Sequence, residues 1–347
     1  MENRKIMVSG GTGYIGSWVV KELLEKGYKV RLTSRNTSNK TKFEHLLQIA
    51  EANKGALEIW EADLLKEGSF DEAAKGCDAI MHIASPFTLR FKDPQKELIN
   101  PALKGTRNVL QAANKSGTVK KVVLTSSVAA VHGDAIDMQE KGLDAFTEDH
   151  WNNTSSIKHQ PYSYSKVLAE KEAWRIYEAQ KEWKLVVINP SFVIGPSLTK
   201  MSDSESLSLM KDLLGGKYAT GMPELWFGFV DVRDVAKAHL LALENEYVSG
   251  RHILADRCMT MLDYAQIIRE KYGNQYKLPK KESPKWLISL IGPLFGMKRG
   301  FVKRNVGYPI KLNASKSIKE LGLNYTDIEK SAVDMVEQMK EFGMIVK

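Results

Sequence analysis

Short apolar runs alternate with amphipathic stretches along the first 190 residues of the chain. The apolar runs predict β-strands and the amphipathic stretches predict helices, because the two kinds of element have different hydrophobic periods. Strands that alternate with helices form parallel sheets with right-handed crossovers. We therefore predict an α/β fold built on a doubly wound parallel sheet. The predicted strands are residues 6–8, 28–33, 57–62, 79–84, 121–127 and 185–190, and the predicted helices are residues 18–26, 43–52, 70–75, 104–111 and 162–176.

The alternation becomes irregular beyond residue 190. Residues 197–227 are rich in methionine and aromatic side chains, a composition that indicates a mobile lid over a substrate. Residues 228–256 are predicted to return to the first domain, first through a strand and then through a helix. We therefore assign residues 1–190, together with 228–256, to one α/β domain, and residues 191–227 and 257–347 to a smaller substrate-binding cap.

Three further features are predicted from polarity alone. Residues 132–160 are polar and irregular, which indicates a surface loop. The apolar run 286–297 has basic flanks, but it is too short to span a membrane and is broken by Gly292 and Pro293. We interpret it as a buried helix of the cap, with peripheral membrane contact as the alternative. His82 lies inside an apolar strand and is predicted to be a core histidine.

A glycine cluster joins the first strand to the first helix. A strand, a glycine turn and a helix are the context of a dinucleotide-phosphate loop, with the pyrophosphate at the helix N-terminus. We assign the tight turn to Gly10, the approach of backbone to pyrophosphate to Gly13, and close helix–strand packing to Gly16. Because the glycines are spaced three and three, not two and three, a turn without a ligand is the alternative. The cofactor-binding residues predicted here are Gly10, Thr12, Gly13, Tyr14, Ile15 and Gly16.

The end of the second strand carries Ser34 and Arg35, where an acidic residue would accept hydrogen bonds from the ribose of NAD. A guanidinium matches a phosphate with paired donors, so the pattern favours NADP(H), with Arg35 on its 2′-phosphate. A solvent-facing arginine is the alternative. Asp63, followed by Leu64, ends the third strand and either reaches the adenine amino group or caps the next turn.

Tyr162 and Lys166 are four residues apart at the start of a predicted helix and therefore share one face. A cation beside a phenol lowers its pKa, which suits Tyr162 to donate and recover a proton. Ser127 ends a strand at the carboxyl edge of the sheet, where ligands bind in open α/β folds. Tyr-x-x-x-Lys alone often arises by chance. Together with the glycine turn and Ser127, it predicts a catalytic set.

Composition, net charge and cysteine spacing indicate a globular protein without a nucleic-acid-binding module or a metal motif. The chain has 347 residues, of which 43% are hydrophobic and 27% charged, as in ordinary globular proteins. A net charge of +8 comes without a recognisable nucleic-acid-binding module, so it indicates solubility or attraction of a phosphate-bearing small molecule. Cys77 and Cys258 fit neither a disulfide framework nor a metal motif. We expect a cytoplasmic protein, monomer or homodimer, without metal, nucleic-acid partner or membrane span.

Taken together, these motifs resemble the extended short-chain dehydrogenases/reductases, and within them the dihydroflavonol reductase and cinnamoyl-CoA reductase group. The resemblance runs nearly end to end and implies a Rossmann-type fold with a smaller C-terminal substrate-binding part. The serine, tyrosine, lysine and glycine set is specific to the superfamily, whereas residues 84–86 and 125–131 favour the reductase group. The matching segments are residues 10–18, 30–35, 62–64, 68–73, 76–77, 124–127, 162–166, 195–196, 229–239 and 321–322.

The resemblance implies a role for each site residue. Tyr162 would protonate the carbonyl oxygen as hydride leaves the nicotinamide, and Lys166 would hydrogen-bond the nicotinamide ribose. Ser127 would hold the carbonyl oxygen, with Ser126 as the alternative. Further cofactor contacts are implied at Ala84, Ser85, Pro86 and Pro190, and substrate contacts at Phe87, Val128, His132, Phe192 and Trp226.

One difference from the group concerns the substrate. Residues 130–133 read Ala-Val-His-Gly, where plant flavonoid reductases carry an asparagine that contacts the phenol ring of the substrate. The difference argues against a flavonoid, and His132 is either a replacement hydrogen-bond donor or an exposed loop histidine.

We therefore predict an NADPH-dependent reductase of a ketone or aldehyde on an apolar or aromatic small molecule. A nucleotide-sugar epimerase or dehydratase, or a hydroxysteroid dehydrogenase, shares the same catalytic set. Arg35 argues against the tightly bound NAD of the first two. A non-catalytic sensor of NAD(P) is a more remote alternative, because a sensor does not need a tuned proton donor.

Overall fold

The computed structural model describes residues 4–85, 91–202 and 204–345. Seven parallel strands form the main sheet in the order β3-β2-β1-β4-β5-β6-β9. Its strands are Lys5–Ser9 (β1), Lys29–Ser34 (β2), Ala56–Glu61 (β3), Ala79–His82 (β4), Lys121–Thr125 (β5), Lys184–Pro190 (β6) and Gly250–Leu254 (β9). The Rossmann-type doubly wound sheet predicted from the sequence is confirmed.

Helices cover both faces of this sheet, and β1 shows why. Its side chains alternate, so Ile6 and Val8 join one buried apolar cluster whereas Met7 joins a second. The helices of the first 180 residues are Tyr14–Glu25 (α1), Glu44–Ala52 (α2), Asp71–Ala74 (α3), Asn100–Ser116 (α4), Ile136–Glu140 (α5) and Pro161–Glu178 (α6). α1 and α2 belong to the first cluster, whereas α3, α4 and α6 belong to the second.

A second, three-stranded sheet lies beyond the main sheet. Its strands are Phe192–Ile194 (β7), Trp226–Asp231 (β8) and Arg257–Thr260 (β10), in the order β10-β8-β7. The sequence predicted that residues 229–232 rejoin the main body as a strand. This is wrong, because β8 pairs only with the strands of the small sheet. The chain returns to the main sheet through Val232–Glu244 (α8) and β9.

The C-terminal third is helical. Its helices, with the one that precedes β8, are Glu205–Leu214 (α7), Met261–Tyr272 (α9), Lys285–Ile291 (α10), Arg299–Asn305 (α11), Ser315–Leu321 (α12) and Ile328–Glu341 (α13). α7 lies within the segment predicted as a lid, and its residues Leu207, Met210 and Leu213 are buried in the main apolar cluster.

The segment 132–160 is not the exposed loop that its polarity predicted. It contains α5, and its Asp134 and Asp137 are almost fully buried. The carboxylate of Asp134 accepts hydrogen bonds from Arg304 Nε at 2.5 Å and from Asn305 Nδ2 at 2.7 Å, both on α11. Polar residues that find charged and amide partners in another part of the chain can be buried, and this accounts for the difference.

The run 286–297 is also placed differently from its prediction as a buried helix. It forms α10 and a short 3₁₀ turn, and of α10 only Ile288 is buried. Trp286, Leu290 and Leu294 are 69%, 60% and 83% exposed. Across the residues that the structure describes, no helix has the length and hydropathy that crossing a membrane requires.

Candidate active site

A cavity of about 830 Å³ opens at the carboxyl ends of the main-sheet strands. This is the edge where open α/β sheets bind ligands, and β1 and β4 lie at the point where the strand order reverses. Pro86 and Phe87 lie outside the described residues. The other predicted site residues all line this one cavity, namely Gly10, Thr12, Gly13, Tyr14, Ile15, Gly16, Arg35, Asp63, Leu64, Ala84, Ser85, Ser127, Val128, His132, Tyr162, Lys166, Pro190, Phe192 and Trp226.

The glycine turn has the geometry that a phosphate requires. Gly10 has a φ of +75°, and a Cβ there would lie 2.6 Å from the backbone nitrogen of Ala84. A Cβ on Gly16 would lie 2.1 Å from the carbonyl oxygen of Gly10, so only glycine allows α1 to pack this close. Gly13 is the N-cap of α1, and in the described chain no side chain caps that end. The first N–H groups of α1 are therefore available to an anion.

Two basic side chains line the cavity close to the end of β2. Arg35 is exposed directly after β2, and Lys42 faces the same space. Ser34, the last residue of β2, also lines the cavity. Asp63 also lines the cavity, while its Oδ1 accepts a hydrogen bond from the backbone nitrogen of Leu65 at 2.9 Å. The turn-capping reading of Asp63 is therefore confirmed, and its side chain still borders the site.

Ser127, Tyr162 and Lys166 meet at the centre of the cavity. Ser127 follows β5 and hydrogen-bonds the hydroxyl of Tyr162. Lys166 lies one turn along α6 from Tyr162, with its Nζ 5.9 Å from the centre of the phenol ring. Ser126, the alternative to Ser127, is instead hydrogen-bonded to the carboxylate of Glu170. The geometry therefore favours Ser127 as the hydroxyl that faces a ligand.

Burial controls the protonation of this set. Burial raises the pKa of Tyr162 well above its usual value, although the hydrogen bond from Ser127 opposes the shift. The sequence predicted a pKa lowered by Lys166, and this is wrong, because desolvation of the buried phenol is the largest effect and raises the pKa. Burial lowers the pKa of Lys166 to about 8, with the charge of Glu170 opposing. Tyr162 is thus a protonated donor at neutral pH.

One wall of the remaining part of the cavity is aromatic. The ring of Phe192 lies 5.8 Å from that of Phe227, and Trp226 lines the same wall. His132 is half-buried and stacks on Phe146 at 4.8 Å, so the alternative of an exposed loop histidine is wrong. Burial lowers the pKa of His132 to about 4, which keeps it neutral at physiological pH.

Several lining residues were not predicted from the sequence. Gln160, Ser163, Phe301, Asn305 and Ile310 all border the cavity. Gln160 is the N-cap of α6 and has a φ of +54°, and among the described residues it alone combines a positive φ with a side chain. Its Nε2 donates to Asp134 at 2.7 Å. No local pattern marks Phe301 and Asn305, because they reach the site from α11, far along the chain.

The NAD dependent epimerase/dehydratase family matches residues 6–255 of the chain. The chain belongs to this family. Residues 6–255 run from β1, before the glycine turn, to the end of β9, so the match includes Ser127, Tyr162 and Lys166.

Curated relatives within the family are reductases by name. Cinnamoyl-CoA reductase CAD2 of Medicago truncatula is 38% identical over 339 residues, which cover 97% of this chain and 95% of the relative. Dihydroflavonol 4-reductase of Gerbera hybrida is 36% identical over 281 residues, which cover 80% of this chain and 74% of the relative. The reductase group that the sequence resembled is confirmed.

A similar solved structure is Gre2 of Candida albicans in complex with NADPH. It is 34% identical, has a TM-score of 0.79, and the match covers 98% of this chain and 99% of that one. The match therefore extends through the C-terminal helices as well as the sheet, and the nucleotide bound in Gre2 agrees with the cofactor predicted from Arg35.

Proposed function

We propose that the chain is an NADPH-dependent carbonyl reductase that acts on a ketone or aldehyde of an apolar or aromatic small molecule. The observation that carries the proposal is the convergence of Ser127, Tyr162 and Lys166 in one cavity with the glycine turn and an aromatic wall. Reductases among the relatives support the reaction type.

Tyr162, Ser127 and Lys166 have different roles in the proposed reaction. NADPH held in this cavity would supply the hydride. Tyr162, held protonated by its burial, donates its proton to the carbonyl oxygen of the substrate, while the Ser127 hydroxyl donates a hydrogen bond to the same oxygen. The positive charge of Lys166 on the next turn stabilises the tyrosinate that results. Hydride and proton together convert the carbonyl to an alcohol.

The residues that would hold the cofactor fit a dinucleotide with a 2′-phosphate. The uncapped N-terminus of α1 suits the pyrophosphate, and Arg35 and Lys42 offer positive charge at the adenosine end. An NAD-type site would place an acidic side chain there. Ala84, Ser85 and Pro190 complete the predicted cofactor-binding set along the strand ends.

Exchanging Arg35 tests the cofactor. Arg35→Asp should lower the preference for NADPH over NADH, measured as the ratio of kcat/KM values, by about tenfold to a hundredfold, because a charge-assisted contact to the phosphate is replaced by repulsion. Lys29→Asp makes a similar charge change at the exposed opposite end of β2 and is the control. An equal ratio in the two variants would remove Arg35 from phosphate recognition.

The lining of the substrate region favours an apolar molecule over a nucleotide sugar. Two of its amide side chains already have partners inside the protein, since Asn305 Oδ1 accepts from Ala135 and Gln160 Nε2 donates to Asp134. Sugars require many free donors and acceptors, whereas Phe192, Phe227 and Trp226 offer ring surfaces.

A substrate panel tests the function directly. Purified protein is mixed with NADPH and aryl ketones, aldehydes, flavanonols, a hydroxysteroid ketone and a nucleotide sugar, and the loss of dihydronicotinamide absorbance is followed. We expect turnover of aryl carbonyl compounds. Turnover of only the steroid or the nucleotide sugar would replace the proposed substrate class, and NADPH binding without turnover of any compound would support a sensor.

We also propose a reducing, cytoplasmic compartment and a monomer or homodimer. Cys77 and Cys258 are both free thiols in the structure, and Cys77 is buried.

A further inference from the structure

Glu170 is a buried carboxylate that the proposed mechanism does not use. It lies one helical turn after Lys166 on α6, and only 1% of its surface is exposed. Burying a charged carboxylate is costly unless several partners compensate for the lost water. The chain supplies such partners from β6, from β9 and from the segment that follows β5.

The contacts of Glu170 are divided between its two oxygens. Oε2 accepts hydrogen bonds from the hydroxyl of Ser126 and from Asn189 Nδ2, the latter at 2.8 Å. Oε1 lies 2.6 Å from Arg251 Nε and accepts from Trp174 Nε1 at 3.3 Å. Asn189 Nδ2 also donates to the carbonyl oxygen of Ser127 at 3.1 Å.

These contacts connect the segment that holds Ser127 to the helix that carries Tyr162 and Lys166. Ser126 and Ser127 directly follow β5, Asn189 lies near the end of β6, and Arg251 lies near the start of β9. Tyr162 and Lys166 belong to the same helix as Glu170. The carboxylate therefore fixes the segment after β5, the end of β6 and the start of β9 to the catalytic helix.

We propose that Glu170 is a positioning residue for the reaction, whose carboxylate sets the distance between the Ser127 hydroxyl and the Tyr162 phenol. The proposal rests on the proposed reductase function. A displacement of about 1 Å between catalytic groups is enough to lower a rate by about a hundredfold, so a fixed link between strand and helix has a direct effect on turnover.

The charge of Glu170 has a second effect, on Lys166. The charged or titratable groups near Lys166 are Tyr162 on the preceding turn, His82 on β4, which burial keeps neutral, and Glu170 on the following turn. Arg251 lies on the far side of Glu170 and is paired with it. The negative charge of Glu170 favours the protonated form of Lys166, which burial disfavours.

Glu170→Gln tests both effects. A glutamine retains one acceptor oxygen, but its amide nitrogen faces either Arg251 or Asn189 Nδ2, which places donor against donor. We expect kcat for a substrate that the wild type reduces to fall by about tenfold to a hundredfold. We expect an unchanged dissociation constant for NADPH, and a pH–rate profile whose alkaline limb moves to lower pH because Lys166 loses its proton more readily.

Glu172→Gln is the matched control. Glu172 lies on the same helix, but its carboxylate pairs with Arg107 and Arg175, each at 2.8 Å, away from the strand ends. It should keep the wild-type kcat and pH profile. If Glu170→Gln behaved like Glu172→Gln, or lost thermal stability while keeping the wild-type kcat and profile when folded, Glu170 would have only a structural role and the proposal would be overturned.

Glu170→Asp keeps the test decisive if the glutamine variant does not fold. It retains the charge but withdraws the carboxylate by one methylene. We expect a lower kcat with the alkaline limb unmoved, and a wild-type kcat would refute the positioning role. An absence of carbonyl reduction by the wild type itself would contradict the proposed function, a result distinct from either variant's behaviour.

Discussion

At the scale of single residues, burial shifts the pKa values of the phenol of Tyr162 and the ammonium of Lys166 in opposite directions. Desolvation raises the pKa of Tyr162 and lowers that of Lys166 to about 8, because it disfavours a phenolate in one case and an ammonium in the other. Both shifts suit the reducing direction, in which the phenol must hold its proton until the carbonyl oxygen becomes negative. Ser127 contacts the phenol directly and so links the proton donor to the site of the carbonyl.

Tyr162→Phe should lower kcat by about a hundredfold to ten-thousandfold, the range that general acid catalysis contributes. NADPH binding, measured by fluorescence titration, should persist because the phenyl ring keeps the shape of the wall. Tyr164→Phe is the control, since Tyr164 lies on another face of α6 and does not line the cavity. A Tyr162→Phe variant with wild-type turnover would exclude Tyr162 as the proton donor.

At the scale of elements, the N-terminus of the catalytic helix is connected to the C-terminal part through Asp134. Its carboxylate accepts from Gln160 and Asn305 and lies 2.8 Å from His159 Nε2. Arg304 adds contacts to Asp134 and, at 2.9 Å, to Asp137. α11 thus contributes both to the wall of the cavity and to the anchoring of α6.

Arg304→Ala should lower the free energy of unfolding by about 2 kcal/mol, because hydrogen bonds to buried charged groups are lost. Arg175→Ala is the control and should cost less, because the Arg175 guanidinium is exposed and Arg107 remains paired with Glu172. Urea unfolding followed by circular dichroism measures both. Equal losses in the two variants would show that the Asp134 cluster does not stabilise the junction.

Elements whose burial is set by their own sequence were predictable. The first six strands of the main sheet, the glycine turn and the face shared by Tyr162 and Lys166 were predicted from local patterns, whereas β9 was not predicted as a strand. Asp134 was not predictable as a buried residue, because its partners Arg304 and Asn305 lie far along the chain. The prediction for Trp286 was wrong in the other direction. Its apolar neighbours indicated a buried helix, but α10 lies at the surface.

At the scale of the whole molecule, buried histidines make stability depend on pH. His82 hydrogen-bonds Ser9 at 2.7 Å, and His239 hydrogen-bonds Thr125 at 2.6 Å. Burial lowers the pKa of His82 to about 3 and that of His239 to about 4. Burial also raises the pKa of Asp234 to about 6. Asp234 therefore stabilises the folded protein more at lower pH, opposite to the effect of the histidines. The pKa of His132 is also lowered, so His132 has the same effect on stability as His82 and His239.

The free energy of unfolding should therefore fall as pH decreases from about 6.5 toward 4, because the unfolded histidines bind protons that the folded ones exclude. His239→Asn should reduce the slope of this fall by about 1.4 kcal/mol per pH unit, the contribution of one group. Denaturant unfolding at several pH values measures the slope. An unchanged slope in the variant would mean that His239 is protonated in the folded protein.

Gln160, the N-cap of the catalytic helix, has a left-handed backbone conformation. A left-handed backbone is unfavourable by about 1–2 kcal/mol for a residue with a side chain, and glycine would avoid that penalty. Its side chain, however, donates a hydrogen bond to the buried carboxylate of Asp134, and hydrogen bonds to charged groups stabilise by about 1.5–3 kcal/mol. Glycine at position 160 would remove the backbone strain and lose this bond, two effects of similar size. The strained N-cap is therefore offset by its own link to the Asp134 cluster, and relieving the strain alone would not stabilise the protein.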